Sequence, residues 1–338
     1  MKVLKKVLLG VLSLACVATA SVGLVGCRAG KDGKDGKSAY EIWLANGNSG
    51  TEADFLEWLK GEDETTEEQE GTDGLEYYPV PDGYAVDQGD AMYLEEIIIP
   101  STYKGKAVTA LADNAFSEAK VKSITIPDSV TSIGDSAFEN CSSLTSIEIP
   151  DSVTSIDYQA FSSCSSLTSV VIGDSVTSIG KYAFENCSNL TSVVIGDSVT
   201  SIGRSTFSGC SSLTSVVISD SVTSIGEYAF SSCSSLTSVV IGDSVTSIGD
   251  FAFENCSSLT SVVIGDSVTS IGCGAFANCS SLTRVYYKGG ASDWNNVYIY
   301  SLGNNYLTNA TKYYYSESQP TEEGNYWHYD ENGEVAVW

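Results

Sequence analysis

The sequence predicts a mainly β solenoid of about eight 23-residue units with parallel strands, preceded by a short helical hairpin on a flexible tether. Three observations carry this prediction. Residues 166–188 recur almost unchanged down the middle of the 338-residue chain. Each copy contains a β-branched run with the alternation of a strand. A fixed period of this size indicates units that bury their apolar faces only against their neighbours.

Cysteine and phenylalanine mark the repeat, each keeping a 23-residue step over seven copies. The cysteines are Cys141, Cys164, Cys187, Cys210, Cys233, Cys256 and Cys279. The phenylalanines are Phe138, Phe161, Phe184, Phe207, Phe230, Phe253 and Phe276. Phe116 lies 22 residues before Phe138 and marks a degenerate first copy that lacks the cysteine.

One unit shows how the chain builds a core. The run Leu167-x-x-Val170-x-Ile172 favours a strand, and residues 173–175 have turn chemistry. Gly180 ends a second short extended piece. The residues that we expect to face inward are Leu167, Val170, Ile172, Val176, Ile179, Ala183, Phe184 and Cys187. Stacked units would turn these positions into continuous internal ladders.

The frame L-x-x-[VI]-x-I-x-x-S-V-T-S-I-G-x-x-A-F-x-x-C resembles that of the BspA-like leucine-rich-repeat family of bacterial surface proteins. Residues 99–109 are similar to the usual first unit of that family, and the resemblance covers residues 94–287. It implies an exposed leucine-rich-repeat solenoid used for adhesion or binding, with no catalytic residues to carry across. Family members differ in what they bind, so the resemblance names no ligand.

Residues 1–26 have the pattern of a lipoprotein signal peptide, with a basic start and an apolar run too short for a good membrane span. The run ends at Leu24-Val25-Gly26-Cys27, which resembles the lipobox of bacterial lipoproteins. Cys27 is then the lipid-attachment residue, and the two acyl chains would anchor the protein stably at the cell membrane, facing outward. The alternative is an ordinary signal peptide that ends in cysteine.

Residues 27–74 predict a tether between this anchor and the solenoid. Glycine at every third position from Gly30 to Gly36 indicates a flexible start. Capping-box patterns at residues 38–41 and 51–54 predict the two short helices of a hairpin. The acidic run that follows favours a solvated, disordered spacer.

Residues 75–290 form the predicted solenoid with its N-terminal cap, and residues 291–338 form an aromatic C-terminal cap or tail. Residues that can close the N-terminal end of the core are Tyr84, Val86, Tyr93 and Ile97 to Ile99. Residues 285–287 are the last expected strand. The tail is dense in tyrosine and tryptophan, which favours capping by aromatic packing, and glycan binding is the alternative.

Composition excludes several classes of function. A net charge of −26 argues against nucleic acid and against charge-driven adhesion to anionic lipid. His328 is the one histidine in the chain, and no nucleophile, acid–base pair or phosphate loop has a plausible set of partners. We therefore predict no enzymatic activity, no cofactor and no metal site.

The cysteines predict a buried thiol ladder rather than a zinc site, because ligands at a 23-residue step form a line and not a tetrahedron. Cys273 departs from the step, and either pairs with Cys279 or remains a reactive thiol. A ladder of aspartates keeps the same step, and we expect each carboxylate to cap its own turn rather than to bind calcium. These aspartates are Asp128, Asp151, Asp174, Asp197, Asp220, Asp243 and Asp266.

Two surfaces are candidates for binding. The outward position of each strand forms a stripe whose members are Val171, Val194, Val217, Val240 and Val263, between Glu148 and Tyr286. Such a stripe indicates either a binding site or plain β-propensity in duplicated units. The second surface lies just before the Ala-Phe pair, where units that otherwise copy one another differ. Its residues are Tyr158, Lys181, Tyr182, Arg204, Glu227, Tyr228, Asp250 and Phe251.

These features together predict a lipid-anchored cell-surface protein whose solenoid binds a protein partner, in adhesion or in contact with a host or neighbouring cell. The alternative is a surface protein that binds glycan or cell wall through its aromatic tail.

Overall fold

The computed structural model describes residues 71–338. The predicted signal peptide, Cys27, the tether and the helical hairpin lie outside these residues. Within residues 71–338, no helix has both the length and the apolar character needed to cross a bilayer.

The described chain is almost entirely β-strand and turn. The first strands are β1 (Glu76–Val80), β2 (Gly83–Asp87), β3 (Glu96–Ile98), β4 (Thr102–Tyr103), β5 (Lys106–Leu111) and β6 (Ser123–Thr125), with a 3-10 helix at Gly89–Tyr93. The repeats then contribute β7 (Ser132–Ile133), β8 (Ser155–Ile156), β9 (Ser169–Val171), β10 (Ser178–Ile179), β11 (Ser192–Val194), β12 (Ser201–Ile202), β13 (Ser215–Ile218), β14 (Ser224–Ile225), β15 (Ser238–Ile241), β16 (Ser247–Ile248), β17 (Ser261–Ile264), β18 (Ser270–Ile271) and β19 (Arg284–Tyr287). The C-terminal part adds α1 (Ala291–Trp294), β20 (Tyr298–Ile299), α2 (Asn305–Asn309), β21 (Thr311–Tyr315), β22 (Tyr326–Tyr329) and β23 (Val335–Val337).

Each repeat forms one coil, and from β9 onward the repeats lend one strand to each of two parallel ladders. The longer strands form a nine-stranded sheet that begins at β9 and ends at β23. The two-residue strands form the other ladder, in which β7 pairs with β8 and β8 with β10, and β12 to β20 continue as a five-stranded sheet. Equivalent residues pair directly, as Val170 does with Val193. The repeat step is therefore also the hydrogen-bond register.

Phenylalanines form a continuous stack through the core. The eight rings from Phe116 to Phe276 are fully buried, and neighbouring ring centroids lie 5.0–5.4 Å apart. Phe207 lies between Phe184 and Phe230, as predicted. The stack confirms that the coils share one core.

Cysteines form a second ladder beside the phenylalanines, and they lie buried and unpaired as predicted. Each thiol donates a hydrogen bond to the carbonyl of the phenylalanine in the preceding coil, as Cys210 does to Phe184 O at 3.2 Å. Over the seven thiols these Sγ···O distances run from 2.9 to 3.2 Å. Burial raises the pKa of Cys279 to about 12, so the thiol stays protonated in the folded state.

Threonine hydroxyls join the coils at the surface. Thr168 donates to Thr145 O at 3.2 Å on the side of the longer strands. Thr177 donates to Thr154 O at 3.3 Å on the side of the short strands. Backbone, thiol and hydroxyl hydrogen bonds therefore all run from one coil to the next.

Both ends of the solenoid are closed by antiparallel hairpins, β1–β2 at one end and β22–β23 at the other. In the N-terminal cap, Val86, Ile97 and Ile99 are buried as predicted. The prediction is wrong for Tyr93, which is 70% exposed and does not cover the end of the core. Tyr93 ends the 3-10 helix, which turns inward through Ala91 instead.

Two further predictions need correction. The solenoid has about ten coils rather than eight, because the terminal coils keep the geometry without the repeated sequence. Strand β19 is not the last, since β21 pairs with it in parallel and β22 follows. The C-terminal segment therefore continues the sheet before it caps it.

Phe207→Ala should lower the free energy of unfolding by about 3–5 kcal/mol, through lost burial and the cavity left behind. Phe207 stacks on two rings and Phe276 on one, so a break at Phe207 damages two coil interfaces. Urea melts should show a larger loss of cooperativity for Phe207→Ala than for Phe276→Ala. Equal midpoints and slopes for the two variants would contradict a continuous stack.

Thiol labelling of the folded protein should separate Cys273 from the seven ladder cysteines. Cys273 is half-buried, whereas the ladder thiols are buried and protonated, so iodoacetamide should modify Cys273 at least about tenfold faster. Peptide mapping by mass spectrometry measures each site, and labelling in urea provides the control. Comparable rates at Cys273 and Cys210 in the folded protein would argue against the ladder.

Candidate binding surfaces

The valine stripe is open at one end and covered at the other. Val171 is 52% exposed, Val194, Val217 and Val240 are half-buried, and Val263 is only 4% exposed. The prediction of five exposed valines is therefore wrong at Val263. The uncovered part of the stripe comprises the coils from Val171 to Val217.

The cover is the C-terminal segment of the chain itself. Trp327 is fully buried and packs in one cluster with Val263 and Tyr286. Its indole N–H donates to Tyr287 O at 3.0 Å, so the buried nitrogen is satisfied. The aromatic residues after strand β19 thus cap the sheet face as well as the end of the core.

An ion pair between Lys288 and Asp243 lies beside this covered part of the sheet. Lys288 Nζ lies 2.7 and 2.8 Å from the two carboxylate oxygens of Asp243, and 5.7 Å from the ring centroid of Tyr329. Burial lowers the pKa of Lys288, but the hydrogen bond and charge of Asp243 outweigh it, so the pKa is raised overall. Lys288 therefore stays charged and links the end of strand β19 to the turn after strand β15, close to the ring of Tyr329.

The second candidate surface is a row of aromatic side chains along the turns that follow the short strands. We call Tyr158, Tyr182, Tyr228 and Phe251 the aromatic ridge. The ring centroids of Tyr158 and Tyr182 lie 5.6 Å apart, edge to face. Those of Tyr228 and Phe251 lie 5.1 Å apart and are stacked. The structure thus brings the four predicted residues together as two pairs.

Three ridge residues have a backbone conformation that bulky residues rarely adopt. The φ angles of Tyr182, Tyr228 and Phe251 are 63°, 55° and 57°. The equivalent positions in the other coils also have positive φ, and they hold Asn114, Ser136, Gln159, Ser205 and Gly274. Only asparagine and glycine among these adopt the left-handed region readily. The fold therefore needs a positive φ here, and it does not need an aromatic ring.

Charged side chains surround both pairs. Between them, the Arg204 guanidinium lies 2.6 Å from the Glu227 carboxylate and 5.5 Å from the Tyr228 ring centroid. Beside the first pair, Asp135 Oδ1 accepts the backbone N–H of Tyr158 at 2.9 Å.

Asp157 is an exception within the repeat. It occupies the position held by glycine in other coils. That position is crowded, since a Cβ added to Gly180 would lie 2.4 Å from the backbone carbonyl carbon of Asp157 in the coil before it. Burial, followed by the charges of Asp135 and Asp113, raises the pKa of Asp157. An acidic side chain has thus replaced glycine at a crowded position beside the first aromatic pair, and the sequence analysis overlooked it.

The aspartate ladder bonds across coils. Asp174 Oδ1 accepts the backbone N–H of Asp197 at 3.1 Å, and Asp220 Oδ1 accepts that of Asp243 at 2.8 Å. These bonds join neighbouring coils, a role that the expectation of each carboxylate capping its own turn did not include. Among the described residues, no group of three or more His, Cys, Asp or Glu is arranged to hold a metal ion.

Cys273 and Cys279 are both free thiols. Cys279 donates to Phe253 O at 3.1 Å, in line with the other ladder cysteines. Of the two alternatives for Cys273, the structure therefore shows the unpaired one.

The aromatic tail divides into buried and exposed residues. Trp294, Leu307 and Trp327 are buried, which accounts for capping. Tyr298 is 66% exposed on the short ladder, where it pairs with Ser270. The other exposed aromatic residues of the tail are Tyr300, Tyr306 and Trp338.

The repeats match a known family over most of the chain. Residues 90–214 and 200–311 match the family model described as "BspA type Leucine rich repeat region (6 copies)". No curated protein matches the chain significantly.

Several solved structures are similar. A leucine-rich repeat protein from Bacteroides ovatus is 28% identical, with a TM-score of 0.51 over 72% of this chain and 70% of that one. The T. pallidum leucine-rich repeat protein is 29% identical, with a TM-score of 0.47 over 62% and 88% of the two chains. A leucine rich cell surface protein from Faecalibacterium prausnitzii is 24% identical, with a TM-score of 0.32 over 67% and 96%.

Tyr182→Gly should change the free energy of unfolding by no more than about 1 kcal/mol. The variant loses an aromatic contact, and glycine loses more conformational entropy on folding than tyrosine does. These costs are offset because the left-handed backbone conformation, which costs a residue with a Cβ about 1–2 kcal/mol, suits glycine. Phe184→Ala, two residues away in the same coil, should lose about 3–5 kcal/mol. Urea melts compare the two, and similar losses would mean that Tyr182 serves the fold rather than a ligand.

Proposed function

The chain belongs to the BspA-type leucine-rich-repeat family, and on that premise we propose that it is a lipid-anchored cell-surface protein whose solenoid binds a protein partner. The family consists of bacterial leucine-rich-repeat surface proteins. The lipobox-like segment that ends at Cys27 supports an anchor, and the tether after it supports display of the solenoid away from the membrane.

The observation that carries the binding role is the aromatic ridge. Its rings lie at the surface, and three of them occupy a positive-φ position that the other coils fill with small or polar residues. Aromatic residues supply large contact areas with little loss of side-chain entropy, and they are enriched where proteins bind one another. The open part of the valine stripe adds a second apolar patch for contact.

Leucine-rich-repeat solenoids are typically binding scaffolds without enzymatic activity. The lone histidine of the chain, His328, stacks on Trp338 at 3.7 Å between ring centroids. This supports a protein that acts by binding.

Binding should depend on the ridge. The purified protein without its first 26 residues is tested on an array of matrix and cell-surface proteins, and the hits are repeated with Tyr158→Ser/Tyr182→Ser. We expect the double variant to lose at least about tenfold in affinity, since truncated aromatic hot spots typically lose 2 kcal/mol or more. Tyr93→Ser removes an aromatic ring that is 70% exposed outside the ridge and should bind normally.

A protein array without hits, or hits that bind the double variant and the wild type equally, would count against a protein-binding ridge. Anchoring is tested separately by Cys27→Ala, which should release the protein from membranes or block its processing. A processed variant that stays in the membrane fraction would argue against lipidation.

Glycan binding through the tail is a second candidate, favoured by the exposure of Tyr298 and Tyr300 on the last coil. Deletion of residues 291–338 would strip strands from both ladders and expose the core, so point variants are the cleaner test. A glycan array on which Tyr298→Ser/Tyr300→Ser retains all binding would eliminate this candidate.

A further inference from the structure

The aromatic ridge holds rings where the fold offers no structural reason for them. Tyr158 is 43% exposed, and the other three rings are half-buried. Tyr182, Tyr228 and Phe251 keep a bulky ring at positive φ, a costly backbone conformation that is found often at functional sites. In the first pair, Tyr158 and Tyr182 are accessible for a contact outside the coil.

A row of carboxylates leads up to this first pair from its N-terminal side. Asp113 Oδ1 accepts the backbone N–H of Asp135 at 3.0 Å, and Asp135 Oδ1 accepts that of Tyr158. Asp157 adds a third carboxylate, at the position that glycine holds in other coils. Its raised pKa reflects burial and the two neighbouring negative charges, so a bound cation would relieve repulsion there.

The second pair shows what an acidic aromatic surface of this kind accommodates. Arg204 lies against the ring of Tyr228 while it bonds to Glu227, a combination of cation–π contact and ion pair. Among the described residues, no Lys or Arg lies over the ring of Tyr158 or Tyr182. The first pair thus has the aromatic and acidic parts of the same arrangement without a cation over its rings, and Lys181, which precedes Tyr182, is the neighbouring basic residue.

We propose that Tyr158 and Tyr182, with Asp135 and Asp157, bind an arginine or lysine side chain of a basic segment in the partner protein. This inference rests on the proposed function and names the chemistry of the partner. The rings face the cation, and the carboxylates neutralise it. A net charge of −26 would speed the approach of such a segment by electrostatic steering.

The test uses a fluorescein-labelled peptide of five Arg-Gly-Ser repeats, and the same peptide with citrulline in place of arginine. Binding to the full chain is measured by fluorescence anisotropy at physiological salt. We expect the arginine peptide to bind more tightly than the citrulline peptide. Tyr158→Ser/Tyr182→Ser should weaken arginine binding about two- to fivefold per ring without a change in net charge.

Two further variants complete the design. Asp157→Gly restores the residue of the neighbouring coils and should weaken arginine binding while the melting temperature is kept or raised. Tyr78→Ser/Tyr93→Ser removes two exposed rings outside the ridge and should leave binding unchanged.

Equal binding of the arginine peptide to the wild type and the ridge variant would overturn the proposal, because attraction would then come from total charge alone. Equal binding of the arginine and citrulline peptides would overturn it as well. If the ridge variant fails on the protein array but the peptides show no preference for arginine, the proposed function stands and only the chemistry of the partner is wrong.

Discussion

The structure depends on one constraint, the fixed hydrogen-bond register between successive coils. Each residue faces its equivalent in the next repeat, as Val216 faces Val239. The same step stacks Phe207 on Phe230 and lets Cys233 donate to Phe207 O. Backbone pairing, ring stacking and thiol hydrogen bonds therefore reinforce one another, and each coil is stabilised mainly by its two neighbours.

This constraint also organises the surface. Outward residues fall into columns, so a substitution in one coil lies beside its equivalents in the next. The ridge arises because the position of Tyr228 and Phe251 lies outside the core and accepts any residue that can adopt a positive φ. Function can diverge there while the inward positions keep the coil, which is how near-copies of one unit produce a surface with distinct aromatic and charged sites.

The solenoid and its phenylalanine and cysteine ladders could be predicted from the sequence, because the inward residues recur at a fixed period and that period identifies the buried positions. The cover over Val263 could not, since it depends on Trp327, which belongs to no repeat and reaches the face only after strands β21 and β22 extend the sheet. The partner of Asp174 was also missed, because a local turn pattern does not show which N–H the neighbouring coil presents. The terminal coils were undercounted because they keep the shape of the unit without its sequence.

Removal of one whole coil tests the register most directly. Deletion of residues 188–210 joins Cys187 to Ser211 and removes 23 residues, so every remaining ladder position keeps an equivalent neighbour. The account predicts a folded protein with a single urea transition and an m-value lower by about a tenth, in proportion to the surface removed. Deletion of residues 188–211 removes one residue more, and this variant should unfold at a clearly lower urea concentration. The one-residue shift in register must either distort a turn or turn the inward side chains of a strand outward. Equal midpoints for the two deletions, or failure of the 23-residue deletion to fold, would contradict the claim that the register holds this molecule together.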